Sequence, residues 1–166
     1  MTVGTATTSS RPELALNLRA AVVGGVGAVL LLISPLGLTW LAAKAVPAAH
    51  IPAQNLSYAD LHHLTSSGMA PTNWVQQNYF SWLGWLLIVL AVLTTAAAAL
   101  LGRRSLGAVG VVVSALGLVL GLFAAKGVLT WSAFYHQIPN LRAGAYFLVV
   151  GFILLLIASA LTPQRR

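Results

Sequence analysis

Four stretches of this chain, roughly 20–46, 80–101, 106–129 and 143–161, are long and apolar enough to dictate the solvent in which it folds. An α-helix rises 1.5 Å per residue, so about 20 apolar residues cover the roughly 30 Å hydrocarbon core of a bilayer. A water-soluble fold would have to bury all four stretches. With 166 residues, of which 58% are hydrophobic and 7% charged, there is too little polar surface to cover them. The expected fold is an all-α integral membrane protein with four transmembrane helices.

The formal net charge of +7 could suggest nucleic acid, but its placement points elsewhere. Arg11, Arg19, Arg103, Arg104, Arg165 and Arg166 fall on the N-terminal tail, the middle turn and the C-terminal tail, which share one side in a four-span protein. The positive-inside rule puts both termini and that turn in the cytoplasm. The balance is a topology signal, with anionic lipid as its natural counterpart and no nucleic-acid partner. The Ala-, Val-, Leu- and Gly-rich composition, with Arg favoured over Lys, suggests a bacterial inner (plasma) membrane as the location. Cysteine is absent, which removes disulfides, thiol catalysis and thiolate metal sites.

Read along the chain, 1–19 is a cytoplasmic tail in which 11–19 forms a short interfacial helix or extends the first span. The first span follows at 20–46, kinked at Ser34-Pro35. Residues 47–79 form an extracytoplasmic loop with a short helix, Ser57 being three residues before Asp60 as in a capping box. Spans two, three and four occupy 80–101, 106–129 and 143–161. They are separated by a cytoplasmic turn at 102–105 and an outer loop at 130–142, and 162–166 is a cytoplasmic tail. Trp40, Trp74, Tyr79, Trp82, Trp85, Trp131, Phe134, Tyr135 and Tyr146 are placed to form an interfacial aromatic belt.

The chain also reads as a tandem repeat of two helical hairpins. Ala42-Ala43-Lys44 closes the first span as Ala124-Ala125-Lys126 closes the third, and Tyr79-Phe80 opens the second as Tyr146-Phe147 opens the fourth. Both halves contain two spans, so they would share one orientation about an axis along the membrane normal.

Three groups of residues are candidates for contact. Lys44, Lys126 and Arg142 lie at outer helix ends, where they serve as interfacial anchors or grip a lipid head group or a partner's carboxylate. Tyr58, Asp60, His62 and His63 sit in the loop segment that distinguishes the two halves and are expected to meet a partner. Gly107, Gly110, Ser114, Gly117 and Gly121 recur every three or four residues and form a packing seam, directed at span one or at another protein.

No cofactor or metal is expected. His50, His62, His63 and His136 lack the spacing of a ligand set. No span carries an acidic residue at its middle, which disfavours proton relays and acid–base chemistry. The expected function is a non-catalytic accessory or scaffolding subunit of an inner-membrane assembly, with membrane lipids and other integral membrane subunits as partners. The alternative is a lipid-binding component of an envelope-lipid transport machine. A small channel or membrane enzyme is the distant third.

Overall fold

The computed structural model describes residues 10–44, 52–68 and 71–161, with side chains from Leu18 onward. Residues 1–9 and 162–166, His50 and the C-terminal end of the expected first span lie outside the described residues, while 10–19 continue into the first span as the start of α1. The protein is predominantly helical. Helix α1 (Ser10–Ile33) leads into a segment made of β1 (Thr39–Ala43), β2 (Gln54–Ser57) and α2 (Tyr58–Ser66), called the outer segment for its place beyond the end of α1. Helix α3 (Trp74–Asn78), a π-helical turn (Tyr79–Leu83) and α4 (Gly84–Leu101) then form one continuous helix. Helices α5 (Arg104–Lys126), α6 (Trp131–Gln137) and α7 (Ala143–Ala160) complete the chain. Trp74–Leu101, α5 and α7 are each long and apolar enough to cross a membrane, and Leu18–Ile33 is a shorter apolar helix.

The first span departs from expectation in the middle. Rather than kinking at Ser34-Pro35 and running on to Val46, the helix stops at Ile33. Proline disfavours helical geometry in the residue before it and supplies no backbone donor, and Gly37 adopts φ 141°, which an L side chain rarely tolerates. The chain turns there and continues as a strand, so the fold is not purely α. Leu38, Trp40 and Leu41 keep the run apolar through the change of structure.

Strand β1 pairs antiparallel with β2 in the register Leu41↔Leu56, Ala42↔Asn55 and Ala43↔Gln54. Thr39 pairs with Ser57, so Trp40 bulges between two paired positions. A bulge re-aims the side chain it carries, and Trp40 is only 3% exposed. The other edge of β1 meets the start of α7: Leu41 bridges to Leu141, and the Arg142 N–H donates to the Trp40 carbonyl at 2.9 Å.

Within the bundle α7 is the central element. It packs against α1 on one side and α5 on the other, while α4 contacts α5, α1 and, across the middle, α7. The α1–α7 seam is a backbone approach. A Cβ on Gly27 would lie 3.0 Å from the Gly151 carbonyl oxygen, and Leu31 fills the space Gly151 leaves. Small residues bring helices together in this way where lipid supplies no hydrophobic drive.

The five-residue stripe on α5 is buried throughout. It faces α7 rather than the first span. A side chain at Gly110 would meet Ser159, one at Gly117 would overlap the Phe152 ring, and one at Gly121 would meet Leu148 and the Tyr79 hydroxyl. Thr95 on α4 shares a hydrogen bond with Ser159 on α7 at 2.9 Å, fixing the third side of this contact.

Candidate functional site

The outer segment is held to the bundle by hydrogen bonds and edge-on aromatic contacts. The Ser34 hydroxyl donates to the Gly144 carbonyl at 2.8 Å, and the Trp40 indole N–H donates to the Ser34 carbonyl at 2.9 Å. The broken end of α1 is thereby tied to both β1 and α7. The Trp40 ring lies edge-on to Tyr58 (5.3 Å between centroids) and Phe80 (5.8 Å), and Tyr58 meets Phe80 and Trp85 similarly. Such pairs contribute about 0.5–1.5 kcal/mol each beyond burial.

Tyr58 also locks the π-helical turn. Its hydroxyl donates to the Tyr79 carbonyl at 2.7 Å, the same oxygen that accepts the Gly84 N–H five residues on, one residue further than in an α-helix. Gly84 is required at this point, because a Cβ there would stand 2.6 Å from the Tyr58 hydroxyl. Burial raises the Tyr58 pKa, which keeps the phenol protonated as the donor. Tyr58 therefore faces inward, contrary to its expected place on a partner-facing surface. Removing its hydroxyl alone, as Tyr58→Phe, is expected to cost about 1 kcal/mol. A thermal midpoint in detergent equal to that of the wild type would show that the bond contributes nothing.

The face of α2 turned away from this core is polar. Asp60, His62 and His63 are exposed. The Ser57 N–H and hydroxyl donate to the Asp60 carboxylate at 2.8 and 2.7 Å, and the Asp60 N–H donates back to the Ser57 hydroxyl at 3.2 Å, which completes a capping box. These bonds, more than the nearby His63, hold the Asp60 carboxyl below its ordinary range. Asp60, His63, Leu64 and the β2 residues Gln54–Leu56 line an open depression of about 440 Å³. No group of three or more metal-ligating side chains occurs among the described residues.

The three cations expected at outer helix ends occupy three different settings. Lys44 is exposed just past the end of β1. Lys126 ends α5 and lies over the Trp131 ring at 5.2 Å from its centroid, a cation–π contact. Arg142 is the exposed N-cap residue of α7, engaged through its backbone N–H with Trp40. The two Ala-Ala-Lys segments thus differ: Ala42 and Ala43 lie in a strand and Lys44 just past its end, whereas Ala124–Lys126 ends a helix. Tyr79 and Tyr146 differ as well, the first fully buried in the π-turn and the second 48% exposed on α7.

The expected aromatic belt divides in two. Trp74, Trp82, Trp131, Tyr135 and Tyr146 are exposed, whereas Trp40, Tyr79 and Phe134 are buried. Sequence reasoning missed the strand pair, the bulge and the π-turn. The signals that could have found the first two were Ser34-Pro35 followed by Gly37, which together mark a chain reversal.

A further cavity opens at the opposite end of the bundle. A groove of about 270 Å³ lies between α1 and α4, lined by Ala20, Gly24 and Gly25 on one side and Thr95, Ala96 and Ala99 on the other. Compared with protein families, with curated proteins and with solved structures, the chain matches none.

Proposed function

We propose that the chain is a non-catalytic accessory subunit of a bacterial inner-membrane assembly. In this reading four helices span the bilayer, α1 included. Both termini and the 102–105 turn are cytoplasmic, and the segment from β1 to α2 stands outside. The placement of α4 and α7 across the middle, with α1 and α5 flanking, supports a tandem pair of helical hairpins as the underlying plan.

The observation that carries the proposal is the contrast between the two sides of the outer segment. Its inner side is fixed by Trp40, Tyr58 and Ser34, and its outer side exposes Asp60, His62 and His63 beside an open depression that Asp60 and His63 help to line. A surface already held in one conformation loses little entropy on binding, which suits it to docking against another subunit. The mixed lining, polar at Gln54, Asn55, Asp60 and His63 and apolar at Leu56 and Leu64, fits the rim of a protein interface better than the fully apolar surroundings of a lipid tail.

Mild detergent extraction followed by native electrophoresis tests this directly. The wild type is expected to migrate with one defined partner at fixed stoichiometry. The exposed double variant His62→Glu/His63→Glu is expected to lose that partner while unfolding at the wild-type temperature. A wild-type monomer accompanied only by lipid would sink the proposal.

A further inference from the structure

We propose that the groove between α1 and α4 is a binding site for one anionic phospholipid, with an acyl chain in the groove and its phosphate held by Arg19, Arg103 and Arg104. The groove is apolar along its length. Thr95 is the one polar side chain in its lining, and the Thr95 hydroxyl is engaged with Ser159. Gly25 has nothing within 4 Å of the position a Cβ would take, so this part of the groove is open space.

The dimensions favour a lipid chain over a helix. On α1 the lining runs from Ala20 to Ala28, about 12 Å at 1.5 Å per residue. One leaflet of hydrocarbon is about 15 Å deep, whereas a spanning partner helix needs a face running the full 30 Å or so. Leu31 and Ile88, each about one turn beyond the lining residues Ala28 and Val92, are buried, so the groove does not continue there. A second copy of the chain or another spanning subunit would find no groove to fill over the remaining half.

Charge selects the kind of lipid. Arg19 immediately precedes the lining residue Ala20. Arg103 and Arg104 follow the lining residue Leu100 across the left-handed Gly102 turn, and all three arginines are exposed. They therefore gather at the end of the groove where a head group would lie. Acyl chains in the surrounding bilayer are as apolar as the groove, so apolarity alone gives no preference. The preference for an anionic head group comes from the arginines, each strengthening it by about fivefold near a membrane surface.

The test uses the full-length chain reconstituted into vesicles of phosphatidylglycerol and phosphatidylcholine in equal parts, re-extracted mildly and weighed by native mass spectrometry. The wild type is expected to retain one phosphatidylglycerol in preference to phosphatidylcholine. Gly25→Leu fills the open space and is expected to abolish retention with helicity unchanged by circular dichroism. Arg19→Gln/Arg103→Gln/Arg104→Gln, altered only at exposed positions, is expected to keep a bound lipid but lose the preference.

Equal retention of the two lipids by the wild type would overturn the proposal. So would undiminished phosphatidylglycerol on Gly25→Leu. Because the chain has no cysteine, Gly25→Cys reports on this position alone. Its oxidation to a disulfide-linked dimer would show a second copy over the groove and would equally overturn the lipid assignment.

Discussion

Trp40→Ala is expected to destabilise the protein by about 3–5 kcal/mol, the range for removing a buried Trp or Phe side chain, and to free the outer segment from the bundle. Trp40 connects three parts of the fold that share no covalent neighbourhood. Its ring packs against Tyr58 from α2 and Phe80 from the π-turn, and its N–H satisfies the Ser34 carbonyl where α1 stops. It also occupies the space that Gly144 leaves at the start of α7. Alanine would leave a cavity among these partners and an unpaired carbonyl at the break, two losses that add to the burial term. Trp40→Phe is expected to recover much of the packing but not the hydrogen bond. The measurement is thermal unfolding in detergent, paired with limited proteolysis between 39 and 66. A loss below about 1 kcal/mol, or a cleavage pattern identical to the wild type, would contradict this role.

The second large effect is expected at the α1–α7 seam. Gly27→Val places a Cβ 2.9 Å from the Leu154 Cβ, 3.0 Å from the Gly151 carbonyl oxygen and 3.2 Å from the Leu155 nitrogen. Two of those atoms are backbone, so no rotamer change relieves the overlap and the helices must separate. Overpacking typically costs 1–3 kcal/mol, and a backbone clash belongs at or above the top of that range. Gly25→Val, two residues away on the same helix, meets nothing within 4 Å and serves as the control. The thermal midpoint in detergent is expected to fall sharply for the first variant and hardly at all for the second. Equal behaviour of the two would mean that α1 does not approach α7 as described.

What could be read in the sequence divides along physical lines. Apolar length marked 80–101, 106–129 and 143–161, which overlap the helices Trp74–Leu101, α5 and α7, because a spanning helix must satisfy its backbone internally and the lipid imposes that on any such run. The glycine stripe on α5 was legible from spacing alone, but its partner was not, since a small-residue face accepts any helix that fits it. Hydropathy also failed at Ile33, because Leu38, Trp40 and Leu41 are as apolar in a strand as in a helix. Only Pro35 and Gly37 mark the change, through conformation rather than hydrophobicity.

Tyr58 illustrates the same limit in the outer segment. Next to Asp60 and His62 it reads as surface, and only the strand pairing that precedes it turns the ring inward onto Phe80. The α1–α4 groove left no trace in sequence, since small residues usually mark where helices close rather than where they stay apart.

The most direct test of the account is site-specific photocrosslinking in intact cells, with the photoreactive residue placed at His63 on the outward face and, separately, at Val113 within the span of α5. A single protein adduct of constant mass is expected from position 63, absent when His62 is also changed to Glu, and no such adduct from position 113. Lipid adducts alone from position 63, or the same protein adduct from both positions, would contradict a subunit that docks through its outer segment.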